Sequence, residues 1–245
     1  MDHYHAAIAR RAEDAEFCPA LLKSYPSKVG AIIYAMPAAR CDCSQTIGIL
    51  SRCLTCPTPE MDAHADRCIV YLAQHSEDGI TYRRDAAVPE FHAYSDSDWA
   101  PGHSTSGWCI FHAGAAVAYG SKRQQSVALS STEAEIMAAS QAACEIVYYR
   151  GLLREMGVDM SKPTVLYVDN AGAVELSKDL KSCQRSRHIE RRQLKVREWV
   201  HSGEIVVQYR ETARNHADLL TKPLDVPAFR RHADAMFGGN ASAGP

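Results

Sequence analysis

The stretch FHAYSDSDWAPG, Phe91 to Gly102, reads as a strand that runs into two carboxylates. Aromatic residues at Phe91, Tyr94 and Trp99 and an alternating pattern lead into Asp96 and Asp98, where a chain leaving a sheet turns. Alternation places both acids on one side of the strand. They either shape a turn, as Asx motifs do, or belong to a charged site completed from elsewhere in the chain.

Two more short strand candidates follow, GWCIFHAG (107–114) and AAVAYGSK (115–122), separated by turn residues such as Gly102, Gly107 and Gly114. A long helix is predicted from about 131 to 156, with Gly157 as its stop. PTVLYVDN (163–170) is a near-continuous apolar run, the mark of a buried strand. A short helix over AGAVELSKDL, a longer one over RHIERRQLKVREWVHSG, a strand over EIVVQYRE and a short helix over NHADLLTKPL complete the pattern. The order βββαβααβα predicts the α/β class: a mixed five-stranded sheet flanked by helices. Upstream, residues 1–86 carry apolar residues at three- and four-residue spacing and read as a small helical segment, split into two helices by Pro57 and Pro59. The sheet-bearing domain is expected over 87–225, and 226–245 as a C-terminal tail.

Bulk properties narrow the function classes. The chain has 245 residues, 46% hydrophobic and 23% charged, with a net charge of −2. That is globular composition without a global basic signature, so nucleic-acid binding would have to come from a local patch. The opening MDHYHAAIARRAEDAEF lacks the apolar core of a signal peptide, and VGAIIYAMPAA is too short to span a bilayer. Nine cysteines at irregular spacing then predict reduced thiols, an intracellular location (cytoplasm or nucleus) and no membrane partner. Cys41, Cys43, Cys53 and Cys56 invite a zinc reading. If the intervening segment is helical, Cys43 and Cys53 lie roughly 15 Å apart, too far for one tetrahedral ion.

Four acids fall at element ends: Asp96 after the first strand, Glu135 in the first turn of the long helix, Asp169 after the buried strand, and Asp218 in the first turn of the last short helix. Strand C-termini and helix N-termini are where sites form in open α/β sheets. Each acid also has a local reading. Ser130 with Glu133, or Thr132 with Glu135, spells a capping box; Asp169 can cap the next helix, and Asn215 and Asp218 have N-cap and N3 spacing. Clustered carboxylates without a counter-charge repel one another and resist desolvation. Divalent ions remove that cost, and carboxylate oxygens suit magnesium.

These stretches carry a resemblance. YSDSDWA, STSGW, SKRQQSVALSSTEAEIMAAS, YVDNAGAVELSK, RHIERR and HADLLTKPL, in this order, resemble the ribonuclease H domain of Ty1/copia-type retrotransposon Pol polyproteins. The likeness covers about 91–224, and the helical segment resembles the region just after the polymerase core of the same polyproteins. It implies a ribonuclease H-like fold and a metal-dependent endoribonuclease that cuts the RNA strand of RNA–DNA hybrids. It also implies two Mg2+ ions, or Mn2+ in their place, and the rest of a reverse transcriptase polyprotein as a partner. The four metal-binding and catalytic carboxylates of the family fall on Asp96, Glu135, Asp169 and Asp218. Asp98 and Glu133 are the neighbours most easily confused with them. The chain departs from the family where only PGH joins SDSDWA to STSGW, and where no Tyr-x-Asp-Asp polymerase motif occurs, so no polymerase activity is expected. In place of the Gly-His loop of cellular relatives there is only His216, read as a surface histidine beside a cap.

Residues 181–200 hold seven Lys or Arg and two Glu, a local charge of +5. On a helix Arg187, Arg191 and Lys195 stack on one side, either as a solvated face or as a ridge that follows phosphates. Trp108 and Trp199 are read as core. The competing reading of the whole chain is an inactive retrotransposon-derived fragment that serves as a nucleic-acid-binding or structural module.

Overall fold

The computed structural model describes residues 18–83, 91–100, 102–178 and 195–239. The chain forms two compact units, Met1–Ile80 and Thr81–Pro245, so the division falls a few residues before the 86/87 boundary expected from composition.

The first unit is helical: α1 (Leu21–Ala39), α2 (Ser44–Leu50) and α3 (Pro59–Gln74), with short 3-10 turns at Cys41–Cys43 and Ser51–Cys53. Pro59 opens α3 at a position where a missing N–H costs nothing, and the Thr58 hydroxyl accepts from the Met61 N–H. A further break at Arg40–Cys43 was not expected. There the Arg40 guanidinium holds the buried Asp42 carboxylate at 2.7 Å, and the Tyr71 hydroxyl donates to the same carboxylate. Tyr25, Val29, Ile32, Leu50 and Met61 fill the core, together with Cys43, Cys53 and Cys68. Cys41, Cys43, Cys53 and Cys68 are buried, and all four are free thiols.

The second unit is built on a five-stranded mixed sheet in the order β3-β2-β1-β4-β5. Its strands are β1 (His92–Asp98), β2 (Thr105–His112), β3 (Ala115–Arg123), β4 (Thr164–Val168) and β5 (Ile205–Tyr209). The first three run antiparallel, while β4 lies parallel to both β1 and β5. This is the α/β architecture expected, with flanking helices. The 25-residue α4 (Ser131–Glu155) crosses the sheet on a run of buried alanines, Ala138, Ala139, Ala142 and Ala143, whose short side chains let helix and sheet approach closely. Ile110, Ile136, Ile146, Leu166, Ile205 and Val207 fill the space between them, and Trp108 and Trp199 pack partly buried against this core. At the far end of α4 the fully buried Arg150 is a clamp. Its guanidinium donates to the Met160 and Lys162 carbonyls, the Thr164 hydroxyl and the Glu204 carboxylate, at 2.6–2.9 Å.

After β4 come α5 (Ala171–Lys178), a helical stretch over 195–201, β5, α6 (Asp218–Thr221) and α7 (Val226–Phe237). The last helix corrects the expected tail. Asp225 caps it, Pro227 sits in its first turn, and Gly238 ends it in a left-handed conformation. His232, Ala233, Met236 and Phe237 are buried, and the Phe237 carbonyl accepts from the Thr81 N–H. The apolar positions of VPAFRRHADAMF recur at helical spacing. That signal was present in the sequence, masked by the Gly- and Ala-rich end that follows.

Candidate metal centre

Parallel pairing of β1 with β4 sets Tyr94 opposite Tyr167. Two residues further along each strand, Asp96 and Asp169 therefore sit level on adjacent strands. β1 continues past Asp96 to Asp98, which pairs with Thr105 and is half-buried. Asp218 is the first residue of α6 and arrives from the other side of β1. One carboxylate oxygen from each of Asp96, Asp169 and Asp218 lies within 4.8 Å of the others. Among the described residues no other group of three His, Cys, Asp or Glu meets in this way.

Glu135 joins the site through β1. It is the fifth residue of α4, just past the first turn, and its Oε1 accepts from the Ser97 N–H at 3.0 Å and the Ser97 hydroxyl at 2.7 Å. Its Oε2 is buried without a partner, as is Oδ1 of Asp218.

The local capping readings are resolved by neighbours. The Ser130 hydroxyl accepts from the Glu133 N–H, and the Glu133 carboxylate accepts from the Leu129 N–H, so Glu133 serves the helix start and Glu135 does not. Asn170 rather than Asp169 accepts from the Ala173 N–H at the head of α5. Asn215 does not cap α6. Its buried side-chain amide donates to the Ser95 carbonyl at 2.9 Å, pinning the loop that carries Asp218 to the strand that carries Asp96.

Close approach of α6 also needs Gly107. It lies across from Asp96 on β2. A Cβ there would meet Thr221 Cγ2 at 2.6 Å, Leu220 Cβ at 2.9 Å and the Ala217 carbonyl at 3.0 Å. Thr221 in turn donates a short hydrogen bond from its hydroxyl to Asp96 Oδ2.

Burial pushes the Asp96 carboxyl above its ordinary value, against the pull of Lys222 and Thr221. Burial, then Asp96, pushes Glu135 up to about 8 and Asp218 up to about 7. Lys222 is held above its ordinary value: burial opposes its charge, and Asp96 and Asp218 more than offset that. Its ammonium lies 3.1 Å from Asp218 Oδ2 and 3.7 Å from Asp96 Oδ2. Such crowded carboxyls, with raised pKa and orphaned oxygens, fit hard divalent cations. Sequence reading missed Lys222 and gave Asn215 and Gly107 only capping and turn roles.

His216 is half-buried rather than exposed. Its ring meets Tyr94 edge-on at 4.8 Å, and its Nδ1 lies 3.1 Å from that of His232. Burial, then His232, lowers its pKa to about 3. Of the expected basic ridge, Arg187 and Arg191 lie outside the described residues. Lys195 is exposed, 2.8 Å from Glu198 and above the Trp199 ring.

Comparison with known proteins places the chain. It is 33% identical over 216 residues to the "Retrovirus-related Pol polyprotein from transposon RE1" of Arabidopsis thaliana, covering 86% of the chain and 15% of that protein. The chain belongs to the retrovirus-related Pol polyproteins of copia-type transposons. It spans about 15% of the length of the RE1 Pol polyprotein and of the one from transposon TNT 1-94 of Nicotiana tabacum. A second relative, "Secreted RxLR effector protein 161" of Plasmopara viticola, is 39% identical over 128 residues, which are 51% of this Pol segment and 89% of that protein. Among solved structures, ribonuclease H1 of the archaeon Halobacterium salinarum aligns with 54% of this chain and 95% of its own, at a TM-score of 0.41 and 20% identity. No family model matches the chain. Among the described residues no helix is long and apolar enough to cross a membrane.

Proposed function

We propose that this Pol segment is a ribonuclease of the ribonuclease H type, a metal-dependent endonuclease that hydrolyses the RNA strand of RNA–DNA hybrids. The observation that carries this reading is the meeting of Asp96, Asp169 and Asp218 within 4.8 Å, with Glu135 tied to the strand residue next to Asp96. Family membership in retrotransposon Pol supports it. Asp96, Glu135, Asp169 and Asp218 are the residues that would hold the two ions. Bound Mg2+ or Mn2+ supplies the charge that activates water and stabilises a leaving oxygen.

The chain's own residues do the rest. Ser97 orients Glu135 through two hydrogen bonds. Thr221 orients Asp96, and the Thr212 hydroxyl donates to Asp169 at 2.8 Å. No nucleophilic side chain is required. The exposed Lys195, with Arg187 and Arg191, would follow the backbone of the hybrid without reading its sequence. The rest of the polyprotein is the proposed partner of the helical unit.

The test is cleavage of a labelled RNA–DNA hybrid by the purified chain with and without Mg2+. Asp169→Asn should abolish cutting while hybrid binding persists. Cutting that survives both chelation and this substitution would refute the metal assignment. Salt-dependent hybrid binding by the wild type without any metal-dependent cutting would favour a binding module instead.

A further inference from the structure

Lys222 is a residue that neither the capping logic nor the metal-ligand logic uses. It follows α6 directly, with its N–H on the Asp218 carbonyl at 3.3 Å, and its side chain turns back into the acidic cluster. The ammonium contacts Asp218 Oδ2 at 3.1 Å and Asp96 Oδ2 at 3.7 Å. Both carboxylates are nearly inaccessible, at 5% and 2% side-chain exposure, while Lys222 keeps 29%. The lysine therefore lies at the rim of the cluster, with its head among buried acids. Its flexible four-carbon stem carries a compact point charge with three donors, free to change partners by rotation.

We propose that Lys222 is a tethered cation that holds Asp96 and Asp218 together until a divalent ion takes its place, so that lysine pairing and metal binding compete. The inference rests on reading the carboxylates as a metal site. Like-charged acids at this separation repel strongly in a buried setting, and one positive charge relieves part of that repulsion. A divalent ion held by these acids would replace the lysine charge, and the buried Oδ1 of Asp218 and Oε2 of Glu135 have no hydrogen-bond partner of their own. The ammonium is then repelled at short range and released toward solvent. Lys222 thus acts as a positioning residue. It keeps the metal-free site assembled, at the expense of metal affinity.

Two measurements on the full chain test this. In the first, Mn2+ binding is followed by calorimetry and by the electron spin resonance of free Mn2+, for wild type, Lys222→Met, Lys222→Gln and Lys222→Arg. Losing an ion pair of ordinary strength should tighten Mn2+ binding by about tenfold in the Met and Gln variants. Lys222→Arg should stay near wild type. In the second, the wild type is treated with an amine-acylating reagent, with and without Mg2+, and labelling of Lys222 is read by mass spectrometry. This arm needs no variant to fold. Mg2+ should increase Lys222 labelling severalfold. Equal Mn2+ affinity in folded Met or Gln variants, or labelling that Mg2+ leaves unchanged or lowers, overturns the role of Lys222 and leaves the metal site standing. Absence of saturable Mn2+ binding in the wild type would bring down the metal site and this inference together.

Discussion

Asp96 and Gly107 face each other across β1 and β2, and the missing side chain at Gly107 is filled by Thr221, Leu220 and the Ala217 carbonyl of the α6 region. A site of acids from distant parts of the chain thus depends on a residue that offers no chemistry. Gly107→Ala forces a Cβ against side-chain carbons at 2.6 and 2.9 Å and a carbonyl at 3.0 Å. Overpacking of this kind costs about 1–3 kcal/mol. The expected outcome is a lower urea midpoint, with Mn2+ binding weakened beyond what the loss of stability explains. An alanine variant with wild-type stability and metal affinity would show that α6 has room to retreat.

Glu135 gives a prediction with a definite sign. Burial, then Asp96, raises its carboxyl from an ordinary 4.5 to about 8 in the metal-free fold. Between those values the native state holds a proton that the unfolded chain has lost, so this group's contribution to stability falls as pH rises through the window. Glu135→Gln keeps an acceptor for Ser97 and does not titrate. The metal-free variant should exceed wild type by about 1–3 kcal/mol at neutral pH, with the gain shrinking toward pH 4.5. Unfolding curves at several pH values in the presence of a chelator read this directly; a difference independent of pH would contradict it.

Much of the sheet was legible because its strands are written locally: apolar alternation, glycine turns and the continuous run of β4. The acids stood out for a related reason, since Asp96 and Asp169 follow apolar runs that leave few other uses for a carboxylate. Single positions could not be separated from caps until the structure showed Glu133, Asn170 and Asn215 taking up backbone hydrogen bonds. Thr221 was invisible because its partner Asp96 lies 125 residues earlier, and the local i,i+4 pair of Asp218 with Lys222 does not reveal that Lys222 also faces Asp96. No local pattern encodes such a contact. The helix Val226–Phe237 is hard to read for another reason: its short amphipathic signal runs directly into the low-complexity residues beyond it.

That helix supplies another test. Its buried His232 bonds His216, and its Phe237 carbonyl bonds Thr81. Ending the chain at Leu224 removes the buried side chains of His232, Met236 and Phe237 and takes away the partner of His216. Truncation is expected to lower the unfolding midpoint markedly and to raise sensitivity to protease at β3. A truncated chain as stable as the full one would return 226–245 to the status of a tail.

Arg150 makes the sharpest claim about stability. Four acceptors converge on one guanidinium that is 1% exposed. Arg150→Met should destabilise by about 3 kcal/mol, because partners of a buried charge are left unpaired. Glu204→Gln should cost less, since Glu204 is more exposed and also meets Arg154. The ranking of the two in urea unfolding is the check.

The same arginine bears on chemistry far from itself. Glu135 and Arg150 ride on one helix, fifteen residues apart, or about 22 Å along its axis. Arg150 is fastened to the chain leading into β4, to the first residue of that strand and to the entrance of β5, and Glu135 reaches Ser97 with an oxygen that accepts two hydrogen bonds. The helix is thus a rod anchored at its distal end, and its anchor sets how far its acidic tip protrudes. Sequence drift around Met160, Lys162 or Glu204 would slide that tip along β1 and retune the centre, with every carboxylate still in place.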